Sequence, residues 1–227
     1  ISNPILFEEV NVKGTLNLLL ASCENKVRRF VFASSSSVYG DTKTLPEKET
    51  DMPSPISIYA LTKLMGEYYC KIFANSYGLE TVALRYFNVF GPRQSLESQY
   101  AVVIPKFITC MLRDEPPPIH GDGMQTRDFT YVKNVVDVNL IAATSKNSIG
   151  EIFNVACGNS YSVMGLVNQL NKMLVKNIKP VFTPLRPGDV LHTLADISKL
   201  KNFLGFTPTV DFEDGLKLTL DYYNNKI

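Results

Sequence analysis

Arg29-Phe30-Val31-Phe32-Ala33-Ser34-Ser35-Ser36-Ser37-Val38-Tyr39-Gly40, followed after a Pro- and acid-rich stretch by Ser57-Ile58-Tyr59-Ala60-Leu61-Thr62-Lys63, decides the fold. The apolar run from Phe30 to Ala33 predicts a buried strand, and the serines from Ser34 to Ser37 fall where it ends. Helical spacing begins at Tyr59-Ala60 and continues through Lys63-Leu64 and Glu67-Tyr68. Residues four apart share a helix face, so the Tyr59 phenol and the Lys63 ammonium reach the same small molecule. A neighbouring ammonium lowers a phenol pKa from its ordinary ~10 and makes phenolate available as a base near neutrality. A serine hydroxyl from the strand end completes a proton-handling trio. Tyr and Lys at this spacing alone are more often a core anchor and a solvated charge. The serine run about 24 residues upstream makes the pattern far more specific.

The totals bound the rest. A chain of 227 residues, 45% hydrophobic and 20% charged, has the composition of a soluble globular protein and can bury a sizeable core. Its formal net charge of +1 excludes bulk attraction to nucleic acid or an anionic membrane, while leaving room for local arginines around a small anion. Cys23, Cys70, Cys110 and Cys157 are widely spaced, with no C-x-x-C and two histidines in the chain. No metal site is expected, and reduced cytosolic thiols are the default. No apolar run approaches the ~18 residues of a membrane span, and no basic region followed by an apolar stretch opens the chain. The expectation is a soluble, cytoplasmic protein.

Taken in order, the chain opens with Asn3-Pro4, an N-cap and first-turn pair. The helix that follows carries Leu6, Val10, Leu16, Leu19 and Leu20, with Gly14 expected to allow close packing. The helix over 59–76 ends at Tyr77-Gly78, and residues 81–87 read as the next parallel strand. Residues 100–111 predict a helix interrupted at Pro105, and Pro116 to Ile119 lead into a short strand. Gly121-Asp122-Gly123 reads as a hairpin-like turn before a helix over 132–144. A strand at 152–156, a helix at 162–175, a strand at 179–182 and helices at 198–204 and 211–224 complete the pattern. The fold class expected is α/β: the C-terminal part of a Rossmann-like doubly wound parallel sheet plus a smaller α/β substrate-binding lobe. The boundary falls between residues 1–90 and 91–227, the second part richer in Pro and Gly and returning elements to the sheet. Ligands of such sheets sit at the carboxyl edge, where Arg85-Tyr86-Phe87-Asn88-Val89-Phe90-Gly91-Pro92-Arg93-Gln94 lies.

The serine run, Tyr59 and Lys63 together resemble the Ser-Tyr-Lys set of the short-chain dehydrogenase/reductase superfamily. The Ser-Ser-Ser-Ser-Val-Tyr-Gly form and the long loop resemble its extended branch, the NAD-dependent nucleotide-sugar epimerases and dehydratases. Val10-Asn11-Val12-Lys13-Gly14-Thr15 is similar to the branch's motif on the helix before the catalytic strand. Within the branch, the UDP-N-acetylglucosamine and UDP-glucose 4-epimerases are the most similar. The resemblance covers nearly all of this chain. The family's first strand, its glycine-rich G-x-x-G-x-x-G turn and its ribose-binding acid have no counterpart here, so roughly the first third of the family's fold is unmatched. A truncated gene model, a split gene or a natural remnant would each account for this, and the alternative to an enzyme is a non-catalytic remnant that binds NAD weakly or not at all and turns nothing over.

The resemblance implies roles residue by residue. Ser35, Tyr59 and Lys63 are the catalytic set. Asn11, Ser35, Tyr59, Lys63 and Phe87 contact the NAD cofactor. Ser36, Asn88, Val103, Arg127, Arg186, Asp189 and Thr193 contact the nucleotide-sugar substrate, the two arginines on its diphosphate and Asp189 on the nucleoside ribose. Guanidinium forks match phosphate oxygens, and an amide such as Asn88 offers donor and acceptor without adding charge. Dehydratases carry Asp-Glu where this chain has Ser36-Ser37, and decarboxylating relatives carry a Glu at the second of those places. Serines cannot ionise there, which favours epimerisation. Where glucose-restricted epimerases hold a bulky Tyr, this chain has Thr193, which leaves room for an N-acetyl group. The expectation is a UDP-sugar 4-epimerase acting on UDP-GlcNAc/UDP-GalNAc or UDP-Glc/UDP-Gal, with UDP-glucuronate epimerase or dehydratase as alternatives. A homodimer through helices at about 4–25 and 59–76 is also implied.

Overall fold

The computed structural model describes residues 3–96, 103–185 and 189–226. Asn3 caps the first helix, its Oδ1 accepting from Leu6 N at 3.1 Å, and Pro4 opens it. Helix α1 (Pro4–Phe7) passes into a π-helical segment (Glu8–Lys13) and then α2 (Gly14–Glu24). Strand β1 (Arg29–Ser35) ends in a single 3-10 turn (Ser36–Tyr39). After the loop come α3 (Ile58–Ser76), β2 (Glu80–Tyr86), the short β3 (Val89–Phe90) and α4 (Val103–Leu112). Strands β4 (Pro118–His120), β5 (Thr126–Arg127) and β6 (Thr130–Tyr131) lead into α5 (Val132–Thr144). The chain then returns to the sheet as β7 (Ile152–Val155), followed by β8 (Tyr161–Ser162), α6 (Val163–Leu174) and β9 (Val181–Thr183). Helices α7 (Ser198–Leu204) and α8 (Phe212–Asn224) close it.

The principal sheet is parallel throughout, in the order β1-β2-β7. Strand β2 shows why its sequence is a near-continuous apolar run: both of its faces are covered. Ala83 joins Leu19, Phe32, Cys70, Phe73 and Leu79 on the side of α2 and α3. Val82 and Leu84 join Val135, Val138, Phe153 and Leu200 on the side of α5 and α7. Helices on both faces of a parallel sheet define a doubly wound α/β layer. A second core gathers Phe90, Phe107, Ile108, Met111, Leu166, Leu170, Phe212 and Leu216 beneath the lobe built from α4, α6 and α8.

Three local expectations are corrected. The Gly121–Gly123 turn is no hairpin: β4 pairs in parallel with β9, and β5 pairs antiparallel with β8. Both glycines do take positive φ, as the turn requires. Pro105 does not interrupt α4 because it lies in its first turn, where no intrahelical N–H is needed. Gly14 serves no close packing, since a Cβ there would meet only Glu9 O at 3.6 Å. The close-packing glycine is Gly66 on α3, where a Cβ would fall 2.2 Å from Phe32 Cζ. That contact seats α3 flat on β1. Among the described residues no helix is long and apolar enough to cross a membrane.

Candidate active site

Helix α3 begins at the capping residue Ser57, whose Oγ accepts from Ala60 N at 3.1 Å. The cap fixes the first turn and therefore Tyr59. The Tyr59 ring packs edge-on against Phe7, centroids 6.3 Å apart. Beneath it, Asn11 Nδ2 donates to Thr62 Oγ1 at 3.0 Å, and Thr62 Oγ1 donates to the Tyr59 carbonyl at 2.9 Å. Asn11 lies on the π-helical segment, whose wider turn breaks the regular backbone bonding at that point. Lys63 stands one turn beyond Tyr59, half-buried, with Nζ 5.7 Å from the Tyr59 ring centroid and 5.4 Å from that of Phe32. Nζ donates to Ala33 O at 3.0 Å, and burial pulls the ammonium pKa below its ordinary value.

Ser35 closes β1 and caps the following turn. Its Oγ accepts from Ser37 N at 3.2 Å and from Ser37 Oγ at 2.9 Å, so its own proton remains for another acceptor. Ser34 faces the opposite way and is 3% exposed. The alternation of a strand thus separates a buried Ser34 from a Ser35 at the half-open edge. Ser36 lies half-buried at the head of the turn.

Strand β2 ends opposite Ser35, with Tyr86 as its register partner, and the chain continues into Phe87 and Asn88. Phe87 is fully buried against Tyr39, Ala156 and Ala195, and its backbone N–H donates to Val155 O at 3.1 Å, so it presents no open surface at the strand end. Asn88 has φ of 34°, a left-handed conformation that Asn tolerates better than most residues. Its Nδ2 donates to Asp128 O at 3.1 Å and to Thr193 Oγ1 at 3.0 Å. Thr193 is 7% exposed, its hydroxyl also accepting from Asp128 N at 3.2 Å.

Asp128 is the residue that the sequence reading missed. Fully buried, its carboxylate accepts from the amides of Cys157 and Gly158 at 3.0 Å and of Ala195 at 3.2 Å. Burial pushes its pKa up to about 6, with those amides opposing the rise. It fastens the Arg127 segment, the end of β7 and the 193–195 segment behind Asn88. Its sequence signal is faint, because an Asp that accepts from amides 29 to 67 residues away leaves no local pattern.

Asn88, Val103, Arg127 and Asp189 line one cavity of about 210 Å³, together with Lys106 and Gln125. Arg127 Nη1 donates to Thr126 O and Leu191 O, and Nη2 lies 3.9 Å from Asp189 Oδ1. Burial pulls the Arg127 pKa down and Asp189 opposes it. The guanidinium is thereby braced by carbonyls on one side and keeps further N–H donors for an anion. Arg186 lies outside the described residues. The structure therefore groups Ser35, Tyr59, Lys63 and Asn11 around the β1 end, and Asn88, Val103, Arg127 and Asp189 around the cavity. Phe87 and Thr193 stand behind these groups rather than in the open.

The donor set suits a dinucleotide. Lys63 Nζ has one hydrogen-bond acceptor among the described residues, leaving hydrogens for a ribose diol, and Ser35 keeps its hydroxyl proton. A parallel doubly wound sheet with Ser, Tyr and Lys at its carboxyl edge defines a short-chain dehydrogenase/reductase type of protein. The match to known proteins is narrower: residues 1–156 fit the NAD dependent epimerase/dehydratase family, and the chain belongs to that family. UDP-N-acetylglucosamine 4-epimerase from Methanobrevibacter ruminantium, solved with UDP-N-acetylmuramic acid, superposes with a TM-score of 0.95 at 41% identity, over 100% of this chain and 73% of that one. UDP-glucose 4-epimerase from Thermotoga maritima, solved with UDP-glucose, gives 0.94 at 38%, over 99% and 72%. UDP-glucuronate 4-epimerase from Thermodesulfobacterium geofontis is 32% identical over 100% of this chain and 69% of its own length. NAD is the cofactor of the family.

Proposed function

We propose that this protein interconverts UDP-sugars by epimerisation at C4, with UDP-GlcNAc and UDP-GalNAc as its preferred pair. The observation that carries the reading is Ser35, whose hydroxyl stands at the β1 end. Tyr59 and Lys63 rise from the adjoining helix, and non-ionising Ser36 and Ser37 follow it. Bound NAD supplies reversible hydride acceptance and return at C4. Tyr59 takes the 4-hydroxyl proton and gives it back, assisted by Ser35. Lys63 holds the cofactor ribose and favours the phenolate electrostatically. Asn88 orients the sugar, while Arg127, with Arg186, neutralises the diphosphate and Asp189 accepts from the nucleoside ribose. Val103 lines the sugar side of the cavity.

The small, withdrawn Thr193 supports the N-acetylhexosamine preference, since its hydroxyl is turned onto Asn88 and Asp128 rather than into the cavity. Exposed Leu61, Tyr68 and Ile72 on α3, with Leu18 on α2, support a homodimer through these helices. Four unpaired cysteines suit a reducing cytoplasm. Tyr59→Phe tests the assignment: turnover of UDP-GlcNAc should be lost while the substrate still binds. Retained turnover would refute Tyr59 as the base.

A further inference from the structure

Tyr59, Lys63 and Glu67 recur one turn apart on α3, which packs on both β1 and β2. The first two belong to the catalytic set, whereas Glu67 is 3% exposed beneath them. Its carboxylate accepts from Ser34 Oγ, from Arg85 Nε at 2.9 Å and from Arg85 Nη2 at 2.7 Å. Ser34 immediately precedes Ser35, and Arg85 stands opposite Ser34 in the strand register. The Arg85 guanidinium lies 4.6 Å from the Tyr39 ring centroid. Tyr39 ends the turn that follows Ser35, and its hydroxyl donates to Asn154 Oδ1 at 2.7 Å. One carboxylate therefore ties the catalytic helix to the chain on both sides of Ser35.

A buried ion pair is a poor device for stability alone, because desolvating two charges offsets most of their attraction. Arg85 Nη1 is moreover buried without a partner among the described residues, a further cost. What the pair does supply is direction, since two parallel N–H···O bonds fix angle as well as distance.

We propose that Glu67 and Arg85 are positioning residues: acting through Ser34 and Tyr39, they set the Ser35 hydroxyl against Tyr59 and Lys63. The assignment rests on the epimerase reading above. Lys63 makes a shallower tie to the same strand through Ala33 O; the Glu67 pair anchors it from below.

Two variants test this. Ser34→Ala cuts the tie to β1 and leaves the ion pair whole. The double variant Glu67→Met/Arg85→Met replaces the pair with apolar side chains and strands no charge. Each should lower kcat about 10- to 100-fold, with KM for the UDP-sugar held within about two-fold. Melting temperature should stay close to that of the unaltered protein, and Ser34→Thr should restore kcat. The carbon-13 resonance of Tyr59 Cζ, assigned by its loss in Tyr59→Phe, should move in Ser34→Ala and in the double variant. Unchanged kcat in Ser34→Ala overturns the proposal. So does a fall in kcat that follows melting temperature while the Tyr59 resonance stays put. If the unaltered protein interconverts no UDP-sugar, the epimerase reading fails on its own. The resonance then decides: movement sustains the positioning role and its absence removes it.

Discussion

Glu47→Gln should stabilise the protein, and the gain should grow with pH. Glu47 is fully buried, and neither carboxyl oxygen has a hydrogen-bond partner among the described residues. Its backbone is pinned: its N–H donates to Leu194 O at 2.7 Å, and its carbonyl accepts from Asp196 N at 2.8 Å and Asn154 Nδ2 at 2.9 Å. Burial pushes the carboxyl from its ordinary 4.5 up to about 8, reinforced by Asp128 and Asp51. The folded chain therefore binds a proton that the unfolded chain releases above pH 4.5. Stability from this group is intact below pH 4.5 and falls as pH rises towards 8. At about 1.4 kcal/mol per pH unit, the loss is about 3 kcal/mol by pH 7 and about 4 kcal/mol by pH 8, where the folded carboxyl is half-ionised. Glutamine keeps the shape of the protonated acid and has no proton to lose. Urea unfolding of both proteins between pH 5 and 8 measures the difference, and titrating groups that do not interact with Glu47 cancel in it. Parallel stability curves across that range would show that Glu47 is not the buried, proton-holding group described here.

Gly66→Ala should destabilise by about 1–3 kcal/mol, because the new methyl overlaps the Phe32 ring and must displace α3 from β1; thermal unfolding checks it. Thr193→Tyr, which also removes the hydroxyl that Asn88 bonds, should cut kcat/KM for UDP-GlcNAc about ten-fold more than for UDP-Glc, as read in a direct comparison of the two substrates. Leu61→Glu with Ile72→Glu places two charges on the exposed apolar face of α3 and should yield a monomer by sedimentation analysis.

Strand β1, the catalytic helix and β2 were legible in the sequence to within a residue or two, for a physical reason. Each is an element whose own periodicity shows in its letters: Phe30, Phe32 and Ala83 pack on the α2 and α3 side, while Val31, Val82 and Leu84 pack on the other. Tyr59 and Lys63 sit one helical turn apart regardless of what surrounds them. The lobe was less legible because its short strands take their partners from far away. Gly121–Gly123 looks like a hairpin locally, yet β4 finds Val181 to Thr183 as its neighbour instead. Gly14 and Gly66 are equally permissive as letters; only the position of Phe32 distinguishes them.

The same distinction separates the site's visible and hidden parts. Residues proposed to meet the ligand carry chemistry that motifs record, as with Ser35, Tyr59, Lys63 and Arg127. Residues that hold those groups in place act across long sequence separations. Asp128 reaches amides on two other segments, and Glu67 closes onto Ser34 and Arg85, 33 and 18 residues away. A glutamate one turn beyond a lysine reads as an ordinary solvated helix charge until the strand beneath is in place. That is why Ser34, adjacent to the assigned catalytic serine and identical to it in sequence, has a different task. Strand alternation turns one hydroxyl towards a buried carboxylate and leaves the other at the half-open edge. A substitution series across Ser34 to Ser37 therefore separates their tasks: loss at Ser35 should remove the assistance it gives Tyr59 in proton transfer, and loss at Ser34 should disturb only the alignment on which that assistance depends.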